Sequence, residues 1–149
     1  MRRLRLPAVP AALAAFAALC LLPASGAFAA EVQGAAILEH ACGKVSVKQM
    51  ALVHAGKMEE SLKLSTPEMQ AEWNAMPADD KKMMSGMMKD MSQSEADYKA
   101  AIQAGGVLTV DGASATLTVK KEHKDANGSS TETMTQKFVI DAKGCWITH

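Results

Sequence analysis

The stretch from Gly106 to His149 restricts the possible folds of this chain more than any other. Runs rich in Val, Thr, Ile and Phe are separated there by Asp111-Gly112, Asn127-Gly128 and Lys143-Gly144. Tight turns between twisted strands need positive φ, which Gly, Asn and Asp tolerate, so these dipeptides punctuate hairpins. The runs alternate as well. Ala113, Ala115, Leu117 and Val119 fall on one side of a strand, with Thr116, Thr118 and Lys120 on the other. Met134, Phe138 and Ile140 line the next strand, and Trp146 is the large residue of the last. A sheet with one apolar and one wet face follows. The expectation is a four-stranded antiparallel meander, with the helical sequence before it covering the apolar face. His123 to Thr131 reads as a polar loop, and Asn127-Gly128-Ser129 within it matches a glycosylation sequon.

The start of the chain reads as a leader. Arg2, Arg3 and Arg5 precede an apolar run from Ala8 to Leu22, and Ala27-Phe28-Ala29 has the small-x-small spacing of a cleavage site. Residues 1–29 are therefore expected to be a secretory signal peptide cut after Ala29. The run is short for a membrane anchor, which needs about 20 residues. Cys20 suggests a lipoprotein, but Leu19 stands where a small residue would be required. Removing 29 residues from 149 leaves 120, enough for one domain with a modest core. Without the leader's three arginines, 13 Lys and Arg face 16 Asp and Glu, a net charge of −3. No basic patch points to nucleic acid, and no later run could span a bilayer. A bacterial-type leader gives a periplasmic or secreted address. Cys42 and Cys145 are the cysteines that remain, and in an oxidising compartment they are expected to form one disulfide.

Residues 30–43 read as an N-terminal segment ahead of a domain at 44–149. In it Ile37, Leu38, Ala41 and Val45 could share a helical face that Gly43 interrupts. A helix is expected from Lys44 to Ala55 and a short one around Met58 and Leu62, with Gly56 as a C-terminal cap between them. Ser65-Thr66-Pro67-Glu68 has capping-box spacing and a first-turn proline, and Met69, Trp73 and Met76 follow at buried-stripe spacing. Pro77, Asp79 and Asp80 open the next helix. Ser92 and Glu95 repeat the box before a helix at Ala96–Ala104, where a strand is the alternative.

This order resembles small exported bacterial proteins of the nuclear transport factor 2-like (cystatin-like) superfamily. The segments that carry the likeness are Ala55 to Met69, Val110 to Val119 and Asp141 to Ile147, the last with its Gly144-x-Trp146. The resemblance implies a cone-like α+β fold in which a curved sheet wraps the helices, and a homodimer through the sheet. Some members of that superfamily are isomerases, cyclases or dehydratases with an acid–base pair inside the cone. Here no Asp–His or Tyr–Asp pair is evident, so a fold likeness carries no activity with it.

The most unusual feature chemically is the run of Met83, Met84, Met87, Met88 and Met91, all on one face of a single helix. Soft thioethers suit Cu(I). Met is also an adaptable core filler, and flexible Met faces receive apolar ligands or protein partners. His40, His54, His123 and His149 show no metal spacing, although His40 and Cys42 could offer N and S ligands. His54 is expected to meet the helix C-terminal carbonyls. Asp97, Tyr98, Glu72 and Glu39 are the candidate acid–base groups, each most simply on a solvated helix face. Three readings follow. The first is a non-catalytic module for a small apolar ligand or a protein partner, with no cofactor. The second is a soft-metal binder using copper. The third is an isomerase- or cyclase-type enzyme.

Overall fold

The computed structural model describes residues 29–125 and 128–149. Residues 1–28 of the expected leader, Cys20 among them, and Asn127 of the expected turn and sequon lie outside them. Among the described residues, six helices and five strands follow in the order β1 (Ala30–Gln33), α1 (Ala35–Glu39), α2 (Ala41–His54), α3 (Met58–Leu62), α4 (Pro67–Ala75), α5 (Ala78–Met91), α6 (Glu95–Gly105), β2 (Gly106–Asp111), β3 (Ser114–Asp125), β4 (Gly128–Asp141) and β5 (Gly144–Thr148). The class is α+β. The sheet is antiparallel with strand order β1-β2-β3-β4-β5. It therefore has five strands and not four. The added strand, β1, pairs Val32 with Leu108 at the edge of β2.

The meander itself follows the hairpin punctuation. Gly112, at φ +56°, makes the β2–β3 turn that a side chain would strain. Of the expected loop at His123–Thr131, residues 123–125 and 128–131 are instead ladder, with His123 opposite Ser130. On the inner face Leu108, Leu117, Val119, Phe138 and Ile147 are buried, and Ile37 and Ile102 close the core from α1 and α6. Each such side chain contributes roughly 1.5–3 kcal/mol on burial. The outer face carries Thr109, Thr116, Thr118, Lys137, Val139, Trp146 and Thr148, by the two-residue alternation.

The helices depart from the sequence reading at their starts. α2 begins at Ala41, not Lys44, and runs through Gly43, which is buried because α1's Ile37 backbone lies against it. Its other end is as expected. Gly56 adopts φ +73°, with Gly56 N–H bonding Val53 O at 2.9 Å and Lys57 N–H bonding Leu52 O at 2.8 Å, a Schellman closure. The Ser65–Glu68 box does not form. Thr66 is the N-cap of α4 without a side-chain cap bond, because residues 64–66 are drawn onto the edge of β5. Thr66 N–H donates to Ile147 O and Ile147 N–H donates to Leu64 O. The second box is shifted by two residues, with Ser94 capping Asp97 N–H. Residues 95–105 are helix, so the strand alternative there falls. A second cluster of Val53, Met58 and Trp73, joined by Leu62, Met76 and Met84, binds α2, α3, α4 and α5 together. No helix among the described residues is long and apolar enough to cross a membrane.

Candidate functional site

The methionine run occupies α5, a 14-residue helix whose apolar side chains other than Ala78 are all methionine. Helix formation is unsurprising, since Met is a strong helix former and Asp79 and Asp80 sit at the positive end. Position on the molecule is the surprise. No residue of α5 is fully buried. Met83 is 70 %, Met87 56 % and Met91 72 % exposed, and Met88 is at 37 %. Met84 alone reaches inward, onto the second cluster. A core-filling role for Met83, Met87 and Met91 is therefore overturned. A helix is apolar along one arc for more than one reason, and here only the edge of the arc at Met84 touches the body. Met83, Met87 and Met91 instead form an outward row, with successive Cα atoms about 6 Å apart. Thioethers one turn apart can reach a common point between them.

Cys42 and Cys145 form the expected disulfide, linking α2 to β5. Both are buried in the main core. The sulfur of the His40-Ala41-Cys42 candidate is thereby consumed, and His40 caps α2 by accepting Cys42 N–H at 3.2 Å. His54 does not bond the carbonyls of its own helix. Its Nδ1 contacts Ser92 Oγ at 3.2 Å, and that hydroxyl donates to Lys89 O at 2.6 Å. His149 pairs with Glu72 at 2.9 Å on the surface. The His123 side chain lies outside the description.

Of the acid–base candidates, Asp97, Glu72 and Glu39 are exposed, and their partners are Ser94, His149 and Lys44. Tyr98 points inward and is 2 % exposed. Its hydroxyl lies 2.8 Å from Ser46 Oγ, Ser46 donates on to Gln136 Oε1, and Gln136 donates to Gln49 Oε1. Burial pushes the Tyr98 phenol above its ordinary value, against a smaller opposing effect of the Ser46 bond. Neither Ser46 nor either glutamine ionises at neutral pH, so this hydrogen-bonded chain holds no acid–base partner for Tyr98. The arrangement is a satisfied polar chain joining α2, α6 and β4 inside the core.

A further feature escaped the sequence reading. A cleft of about 490 Å³ lies between the start of α4 and the outer face of β4 and β5, beside Trp146. It depends on the contact of residues 64–66 with β5, which links positions far apart in the chain. The isolated signal was Trp146 on the wet side of its strand.

Comparison with protein-family models, with curated proteins and with solved structures returned no match. Fold and site together define a disulfide-linked α+β domain that displays a thioether row on an outer helix.

Proposed function

We propose that this chain is an exported, non-catalytic binding domain of the nuclear transport factor 2-like kind, acting through the methionine face of α5 on a soft monovalent cation, Cu(I). The helices-then-meander order and the Cys42–Cys145 pair support the class and the oxidising address. Strand β1 begins at Ala30, directly after the expected cut at Ala29, so processing would leave the fold intact.

One observation carries the choice of site and ligand. Methionine does serve in burial here, with Met58 in the second cluster and Met50, Met69 and Met134 packed partly against the main core, but the exposed row at 83, 87 and 91 is methionine throughout and belongs to neither cluster. Exposed thioethers contribute nothing to the core, but they are soft, neutral ligands for a soft ion. Met88, at the edge of the row, could add a third sulfur to a pair one turn apart. The oxidised cysteines do not compete for the ion. The same face would also suit a partner protein, since Met surfaces re-pack readily. Leucine separates the two readings, because it keeps volume, apolarity and helix propensity but removes sulfur.

The test is an anaerobic Cu(I) competition titration of the mature protein against the variant Met83→Leu/Met87→Leu/Met91→Leu. Binding by the parent that falls at least tenfold in the variant is expected. Failure of the parent to bind, or equal binding by both, would overturn the metal reading.

A further inference from the structure

The cleft beside Trp146 uses no residue of α5 and has the features of a separate built site. Ser65 and Thr66 line it, at 0 % and 6 % exposed. Neither hydroxyl has a hydrogen-bond partner among the described residues. Their backbone cannot move to find one, because it is tied to β5 by Thr66 N–H to Ile147 O and Ile147 N–H to Leu64 O. Buried hydroxyls left unpaired are unfavourable and rare. Two adjacent ones at the mouth of a helix are held for a group that arrives from outside.

The opposite wall is apolar. Trp146 and Val139 are cross-strand neighbours on the outer face of the sheet, and Pro67 faces the same space. The Trp146 indole N–H is already spent on Asp141 Oδ1 at 3.1 Å, which leaves the ring as a surface rather than a donor. The rim is polar and of mixed sign. Glu68, Asp141 and Lys143 sit on it, two carboxylates against one ammonium, which does not suit an anion. Gln70 Nε2 donates to Ser65 O at 2.8 Å, so that amide is held in a fixed orientation.

These groups together ask for a ligand that both donates and accepts along one side and is apolar along the other. A pyranose ring has that form. Its hydroxyls are amphiprotic, its axial C–H face packs on an indole, and a cleft of this volume lies in the range for small-molecule sites. We infer that the Ser65–Thr66–Trp146 cleft binds saccharide.

Two indole N–H signals, from Trp73 and Trp146, make the test direct in two-dimensional NMR of the parent mature protein, with Trp146→Phe giving the assignment. The probes are the soluble trisaccharides of glucose and of N-acetylglucosamine. Sedimentation with the insoluble polymers of the same sugars tells a free oligosaccharide from a polymer surface. A saturable shift of the Trp146 signal is expected, with buried Trp73 unmoved. Ser65→Ala and Thr66→Val should each weaken it about threefold to tenfold. Both variants should also melt at higher temperature than the parent, since each removes an unpaired buried hydroxyl. That gain shows the loss of binding is not misfolding. No shift and no sedimentation with any probe up to millimolar concentration would overturn the site, as would binding that both variants retain unchanged. A Trp146 shift that follows protein dilution without sugar would assign the cleft to a second copy of the chain and equally overturn it.

Discussion

Gly43 has no room for a side chain, since a Cβ there would collide with the Ile37 carbonyl oxygen. That neighbour is backbone, so α1 and α2 would have to separate. Gly43→Ala should cost about 2–4 kcal/mol in denaturant unfolding. Gly86 is the control within the same chain, because a methyl group placed on it, on exposed α5, would meet nothing within 4 Å. Gly86→Ala should stabilise by about 0.5–1 kcal/mol through helix propensity alone. In the sequence both are glycines within helical patterns, and Gly43 reads as an interruption. Which one is required depends on Ile37, six residues earlier but packed across it, and periodicity carries no such information. Tyr98 gives a second residue-scale outcome. Its phenol is raised by burial, so the folded state holds the proton more tightly than the unfolded chain. The associated stability is complete below the ordinary tyrosine value near 10 and is lost as pH rises through the folded one. Tyr98→Phe should flatten the alkaline limb of a plot of stability against pH. An alkaline limb identical to the parent's would show that Tyr98 does not set it.

At the scale of elements, α5 should be energetically lopsided. Replacing Met83, Met87 and Met91 together by Leu should change unfolding free energy by less than about 0.5 kcal/mol, because all three face solvent. Met84→Ala should cost about 1–2 kcal/mol, since Met84 packs on the Val53–Met58–Trp73 cluster and is half-buried. Equal costs at the outer row and at Met84 would show that the row is packed after all. The helix and its apolar arc are legible in the sequence, because the spacing of Met83, Met84, Met87, Met88 and Met91 is local. The direction in which the arc faces is not, because that is decided by contact with α2 and with the Val53–Met58–Trp73 cluster. The strands β2 to β5 are legible for the same local reason, through their alternation and the Asp111-Gly112 and Lys143-Gly144 turns, although β3 and β4 run on into residues that read as loop. β1 and α1 have four and five residues, too few for a period to declare itself. Ser65 shows the limit most plainly, since a sound capping-box spacing yields to a bridge with Ile147 that joins the chain across the whole meander.

For the molecule as a whole, the Cys42–Cys145 bond closes a span of 103 residues, from the start of α2 to the last strand. A loop of about 100 residues corresponds to roughly 4.7 kcal/mol of denatured-state entropy in the chain model. Cys42→Ala/Cys145→Ala should therefore lower unfolding free energy by about 3–5 kcal/mol, a large share of what a domain of this size has. The natively purified mature protein, cut after Ala29, should show no titratable thiol, and two after denaturation and reduction. Pairing is legible here because only two cysteines follow residue 29, whereas the elements that bring them together are not. The bond also separates the two functions of sulfur in this chain. Thiolates outcompete thioethers for Cu(I), so a reduced protein could bind copper at Cys42 and Cys145 and give no information about α5. The oxidised parent and the double-alanine variant both lack thiols but retain Met83, Met87 and Met91. Their Cu(I) affinities should agree within about threefold at a temperature where both are folded. A variant that loses copper binding while its α5 stays helical would show that the parent's metal was held by cysteines reduced in the titration, and would take it away from the methionine row.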